Sequence, residues 1–61
     1  MAFDLRAARE AKGLTQEALA EKAGVTRQAI GNYETGANRP SVEVAKVLGQ
    51  ELGFDWTKLY D

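Results

Sequence analysis

Four glycines, Gly13, Gly24, Gly36 and Gly53, cut the chain into short segments, and that division limits what it can fold into. Inside the segments Ala, Leu, Glu, Gln, Lys and Arg dominate, all good helix formers, and apolar residues recur at helical rather than strand spacing. A glycine that accepts positive φ ends one helix and turns the chain toward the next. The pattern predicts an all-α, compact domain of five helices, at roughly 4–12, 16–23, 27–34, 42–52 and a short one near 56–60. The one loop with irregular chemistry is 36–40, closed by Pro40, and there is no repeat or low-complexity tract.

Two helix starts are marked twice over. Thr15 can cap the second helix while Leu14 packs on Leu19, and Thr26 can cap the third while Val25 packs on Ile30. Both pairs have the hydrophobic-staple spacing, which fixes the angle at which the chain enters a helix. Ser41, directly after Pro40, supplies a third cap. The expected core is Leu5, Ala8, Leu14, Leu19, Ala20, Val25, Ile30, Tyr33, Val42, Ala45, Leu48, Leu52, Trp56 and Leu59.

The 61 residues are read as one domain over 1–61. A chain this short buries only ~60% of its unfolded surface, so most apolar side chains must share one core. A hydrophobic fraction of 44% permits it. The absence of Cys and His removes disulfides, thiol chemistry and the commonest transition-metal ligands together. No Gly-rich phosphate loop is present and the acidic residues are scattered singly, so the chain reads as neither an enzyme nor a cofactor protein. Apolar runs are too short for a signal peptide or membrane span, which makes the cytoplasm the expected location.

Charge by itself does not suggest a polyanionic partner, since the net value is −1. Its distribution is uneven: residues 1–40 carry six basic and five acidic groups, and residues 41–61 carry two and four. The weak positive bias therefore lies on the half that contains the central helix pair.

That pair, QEALAEKAGVTRQAIGNYET, meets the demands of two helices joined by a tight turn. Helices crossing at about 90–120° need a small residue at their closest approach, a glycine in the turn and apolar inner faces. Ala20 and Gly24 answer the first two, and Leu19, Ala23, Val25, Ile30 and Tyr33 the third. With LRAAREAKGLTQEALA leading in, NYETGANRPS leading out and VLGQELGFDWTKL closing the chain, nearly the whole sequence resembles the phage repressor and Cro-type helix-turn-helix domains, the XRE-like family.

The resemblance implies a lambda repressor-like fold whose third helix enters the major groove of double-stranded DNA, with homodimers on partly palindromic operators. It implies a transcriptional regulator, a repressor first. Arg27, Gln28, Ala29 and Asn32 become candidate base contacts. Arg favours guanine, Gln and Asn favour adenine, and an Ala methyl suits thymine. Gln16, Thr26, Asn38, Arg39 and Arg6 become candidate phosphate contacts, which position a protein without reading sequence. Gln16 matches a family position that both binds a phosphate and braces the recognition helix. Arg9 and Glu34 match an internal ion pair tying the first helix to the third.

Simpler readings stand beside these. Gln28 taken alone is a solvated surface residue, and Lys12, Lys22 and Lys46 read as solvating charges. Gly31 either permits close approach to DNA or is neutral drift. Phe54, Trp56 and Tyr60 form a dimer contact or a junction to further chain, or Trp56 merely caps the core. The rival function is a protein-interaction module or an antitoxin of the same fold, with a toxin or a C-terminal domain as partner. The polar set Gln16, Gln28, Asn32 and Arg39 speaks against interaction alone.

Overall fold

Asp4, Thr15, Thr26 and Ser41 each adopt extended backbone, and each side-chain oxygen accepts a hydrogen bond from the backbone N–H three residues on, at 2.9, 3.0, 3.1 and 3.3 Å. Each cap satisfies a donor that the helix cannot, and contributes about 1 kcal/mol. The computed structural model, which describes residues 3–60, accordingly has α1 at Leu5–Ala11, α2 at Gln16–Ala23, α3 at Arg27–Thr35 and α4 at Val42–Leu52. Three of the four caps follow from the sequence; the sequence pattern begins the first helix at Asp4, which instead caps it.

The fifth segment, Trp56–Tyr60, is a 3-10 helix, so four α-helices and one tighter turn replace the five helices expected. Five residues are too few to offset the cost of nucleating an α-helix. Asp55 also draws the entry tight: its carboxylate accepts from the backbone N–H and hydroxyl of Thr57, and its carbonyl accepts from the Lys58 N–H three residues on. No strand occurs among the described residues.

Each of the five elements contributes to one core of Leu5, Leu19, Ala20, Ile30, Ala45, Leu48, Leu52 and Leu59. Ala8, Leu14, Ala23, Val25, Tyr33 and Trp56 pack at its half-buried margin, joined by Phe3, Val44, Phe54 and Tyr60, which the sequence does not mark as core. Val42 does not belong: it is 49% exposed. It shares a helical stripe with Ala45 and Gly49, but as the first residue of α4 it stands past the edge of the packed core.

Two glycines govern how close the elements come. Gly24 takes φ 71° and ψ 31°, a left-handed conformation that ends α2, and the Val25 N–H returns at once to the Ala20 carbonyl. Gly49 lies inside α4, where a Cβ would meet the Phe54 carbonyl oxygen at 2.7 Å. The returning chain therefore packs on bare helix backbone at this point. Phe54 in turn stacks on Phe3 with ring centroids 4.3 Å apart, joining the two ends of the described chain. Lys46 is not only a solvating charge, because its Nζ lies 5.5 Å from the centre of the Trp56 ring.

Candidate nucleic-acid interface

Successive residues of a helix turn by about 100°, so the burial of α3 defines its faces. Ile30 is fully buried, Tyr33 packs on the core margin, and Arg27, Gln28 and Thr35 point to solvent with Gly31 and Asn32 half-buried among them. Three adjoining shallow grooves surround this outward face. One, against α1 and the start of α2, includes Arg6, Gln16, Arg27, Gly31 and Glu34. A second follows α3 itself along Gln16, Arg27, Gln28, Gly31, Asn32 and Thr35. The third, against the loop after α3, includes Thr26, Gln28, Ala29, Asn32, Asn38 and Arg39.

Every residue singled out from the sequence as a base or phosphate contact thus lines a single continuous surface. The apolar side of α3 is committed to the core, and the polar side faces solvent. Thr35, which lines two of these grooves, was not singled out. Its position one turn after Gly31 and two after Arg27 puts it on the same outward face. Glu17 lines the first groove as well, an acidic group that a phosphate must avoid.

A chain of hydrogen bonds runs from the interior to this surface. Arg9 Nε donates to Glu34 Oε2 at 2.6 Å, and Arg9 Nη1 donates to the Leu14 carbonyl at 2.8 Å. The Arg9 and Glu34 side chains are only 10% and 5% exposed, so the pair expected between the first and third helices is internal. Its hydrogen bond to the Glu34 carboxylate holds the Arg9 guanidinium even more firmly protonated than usual, against the opposing effect of burial. Glu34 Oε1 then accepts from Gln16 Nε2 at 3.0 Å, and Gln16 Oε1 accepts from Arg27 Nη1 at 3.0 Å.

These bonds fix which way the Gln16 carboxamide faces. Its carbonyl oxygen is committed toward α3 and one N–H toward Glu34, leaving a second N–H unassigned. Arg27 is drawn toward the start of α2, away from Gln28 on the next position. Arg6 pairs with Glu10 at 3.3 Å, but those side chains are 69% and 56% exposed. An exposed pair of this kind contributes at most about 1 kcal/mol and leaves Arg6 available.

The loop at 36–40 carries Asn38 and Arg39, both exposed, and it is anchored at both ends. The Asn38 N–H donates to the Asn32 carbonyl at 3.3 Å, and the Tyr60 hydroxyl donates to the Pro40 carbonyl. Tyr60 therefore has a specific task within the domain, beyond the terminal aromatic surface expected of it. No buried side-chain nitrogen or oxygen among the described residues lacks a partner. No helix among them is long and apolar enough to cross a membrane.

Two short helices joined through a left-handed glycine, with a polar outward face on the second, define the helix-turn-helix class. A family model described as helix-turn-helix matches residues 5–59, and the chain belongs to that family, in its XRE-type branch. The chain is 44% identical over 50 residues to YqaF of Bacillus subtilis, named an uncharacterized HTH-type transcriptional regulator, covering 82% of this chain and 66% of that one. It is 54% identical over 57 residues to a putative HTH-type transcriptional regulatory protein of Methanocaldococcus jannaschii, covering 93% of this chain but 18% of the relative. An uncharacterized HTH-type transcriptional regulator of Methanothermobacter thermautotrophicus is 47% identical over 49 residues, with 80% and 71% covered. No solved structure gives a significant match.

Proposed function

We propose that this chain is a sequence-specific double-stranded DNA-binding domain that regulates transcription, with α3 in the major groove. The observation that carries the reading is the division of α3: Ile30 seals one side into the core, while Arg27, Gln28, Asn32 and Thr35 occupy the other. Carboxamides and a guanidinium on one helix face are the groups that form paired hydrogen bonds with base edges. The relatives bear names of transcriptional regulators, which agrees with this chemistry.

Gln28 and Asn32 are the foremost base readers, with Ala29 beside them for a thymine methyl. Arg27 reads either a guanine or the adjoining phosphate, and its bond to Gln16 favours the edge of the interface over its centre. Gln16, Thr26 and Arg6 on one flank, and Asn38 and Arg39 on the other, would hold the phosphates on either side of the groove. The start of α2 adds free backbone N–H groups and the positive end of a helix dipole to that task.

The domain spans 24 × 20 × 19 Å, less than one helical turn of DNA at about 34 Å. One copy suits one half-site, which supports a homodimer on a partly palindromic operator. Occupying such a site is enough to block transcription, so repression in the cytoplasm is the simplest mode of action. Residues 1–61 act here as one unit, whatever further chain a relative carries.

Selection of bound duplexes from a random pool at moderate salt tests the reading. A recurrent site with two related half-sites is expected. Retention of every duplex alike, or of none, would refute sequence-specific binding.

A further inference from the structure

Two glycines interrupt the interiors of helices, and the fold accounts for only one. At Gly49 a Cβ would collide with the Phe54 carbonyl oxygen at 2.7 Å, so packing requires the glycine. At Gly31 the nearest atom to such a Cβ is Gln16 Nε2 at 3.8 Å, an ordinary contact, and φ is not positive. Alanine fits there without strain. It would also strengthen α3, because glycine is the weakest helix former after proline.

Gly31 stands in the middle of the outward face, one turn after Arg27 and one before Thr35, between the grooves on either side. Arg27 and Gln28 beside it are long and can reach outward, but Asn32, the next residue on the same groove, is half-buried and carries its carboxamide on one methylene. A side chain that short reaches a base edge only if the helix backbone comes close to the floor of the groove.

Building on the reading of α3 as the DNA-reading helix, we propose that Gly31 is the point of closest approach between that helix and the duplex, and so a specificity-determining position. Its bare Cα lies against the edge of a base pair. A methyl group there holds α3 off the groove floor and takes Asn32 out of hydrogen-bonding reach. The phosphate contacts from Arg6, Arg39 and Asn38 come from outside α3 and are affected much less.

The test compares the parent chain with Gly31→Ala by thermal unfolding, and by binding to a duplex selected from a random pool and to a scrambled duplex of equal length. The variant should melt about 4 °C higher, from the gain in helix propensity. Its affinity for the selected duplex should fall about tenfold or more, the usual effect of one excess methyl at a packed contact. Affinity for the scrambled duplex, which rests on phosphates, should change by about twofold at most. Parental affinity and discrimination in Gly31→Ala would overturn the proposal, as would equal loss on both duplexes or a lowered melting temperature. If the parent itself does not distinguish the two duplexes, the assignment of α3 as reader fails, and this inference with it.

Discussion

Glu34 joins the interior of the domain to its surface through a single carboxylate. It accepts from Arg9 on one side and from Gln16 on the other, and Gln16 passes the constraint on to Arg27. Replacing Glu34 by Gln keeps the shape but leaves the buried Arg9 charge without its counterpart. Removing one partner of a buried pair typically costs about 3–5 kcal/mol, a large share of the stability of so small a domain. Chemical denaturation of Glu34→Gln should show a loss of that order. The double variant Arg9→Met, Glu34→Leu removes both charges and should recover most of the stability, since replacing a whole buried pair by apolar groups is often neutral. It should still bind DNA more weakly than the parent, because Gln16 has lost the acceptor that orients it. Full recovery of both properties would show that the chain of hydrogen bonds has no part in binding. The Arg9–Glu34 pair was legible only through resemblance, for nothing in a spacing of 25 residues marks two charges as partners.

At the scale of elements, the helix starts were the most legible part of the chain, because a cap and a staple are local and use few residue types. Thr15, Thr26 and Ser41 cap as their side chains dictate, and α2 and α4 have the ranges read from the sequence. The closing segment was harder. Its apolar residues fit a helix, yet whether five residues wind as α or 3-10 depends on the hydrogen bonds at its entry, and Asp55 decides this. The bonds from the Thr57 backbone and hydroxyl hold the Asp55 carboxyl below the usual carboxylate range. A carboxyl lowered by folding adds stability above its unfolded value, about 3.9, and loses it as pH falls through the lower folded value. Asp55→Asn should therefore unfold with a shallower pH dependence than the parent across that acidic window; an unchanged profile would contradict the cap. Tyr60 makes the other connection from this segment, to the Pro40 carbonyl. Tyr60→Phe keeps the edge-on contact with Trp56 and removes only the hydroxyl. Amide hydrogen exchange should then quicken in residues 36–40, while protection of the α2 and α4 cores stays as it was.

For the whole molecule, net charge is a poor guide to partner. A total of −1 hides a surface on which Arg6, Arg27 and Arg39 flank one helix and most of the acidic groups lie elsewhere. That surface was legible because the outward positions of α3 follow from the inward ones, and the inward ones are apolar. Val42, expected in the core, is exposed, because how far the core extends along α4 is a property of the packed molecule. Gly49 was not read at all, since only the returning chain gives it a reason. If Arg39 holds a phosphate, Arg39→Ala should weaken binding to every duplex, with the slope of log affinity against log salt shallower by about one. The most direct test of the account is the ratio of affinities for a selected and a scrambled duplex, measured for the parent, Gln28→Ala and Asn32→Ala. Each substitution should shrink the ratio by about 5- to 150-fold, the range of a paired base contact, with unfolding curves unchanged. A ratio that survives both substitutions would mean that α3 does not read the sequence.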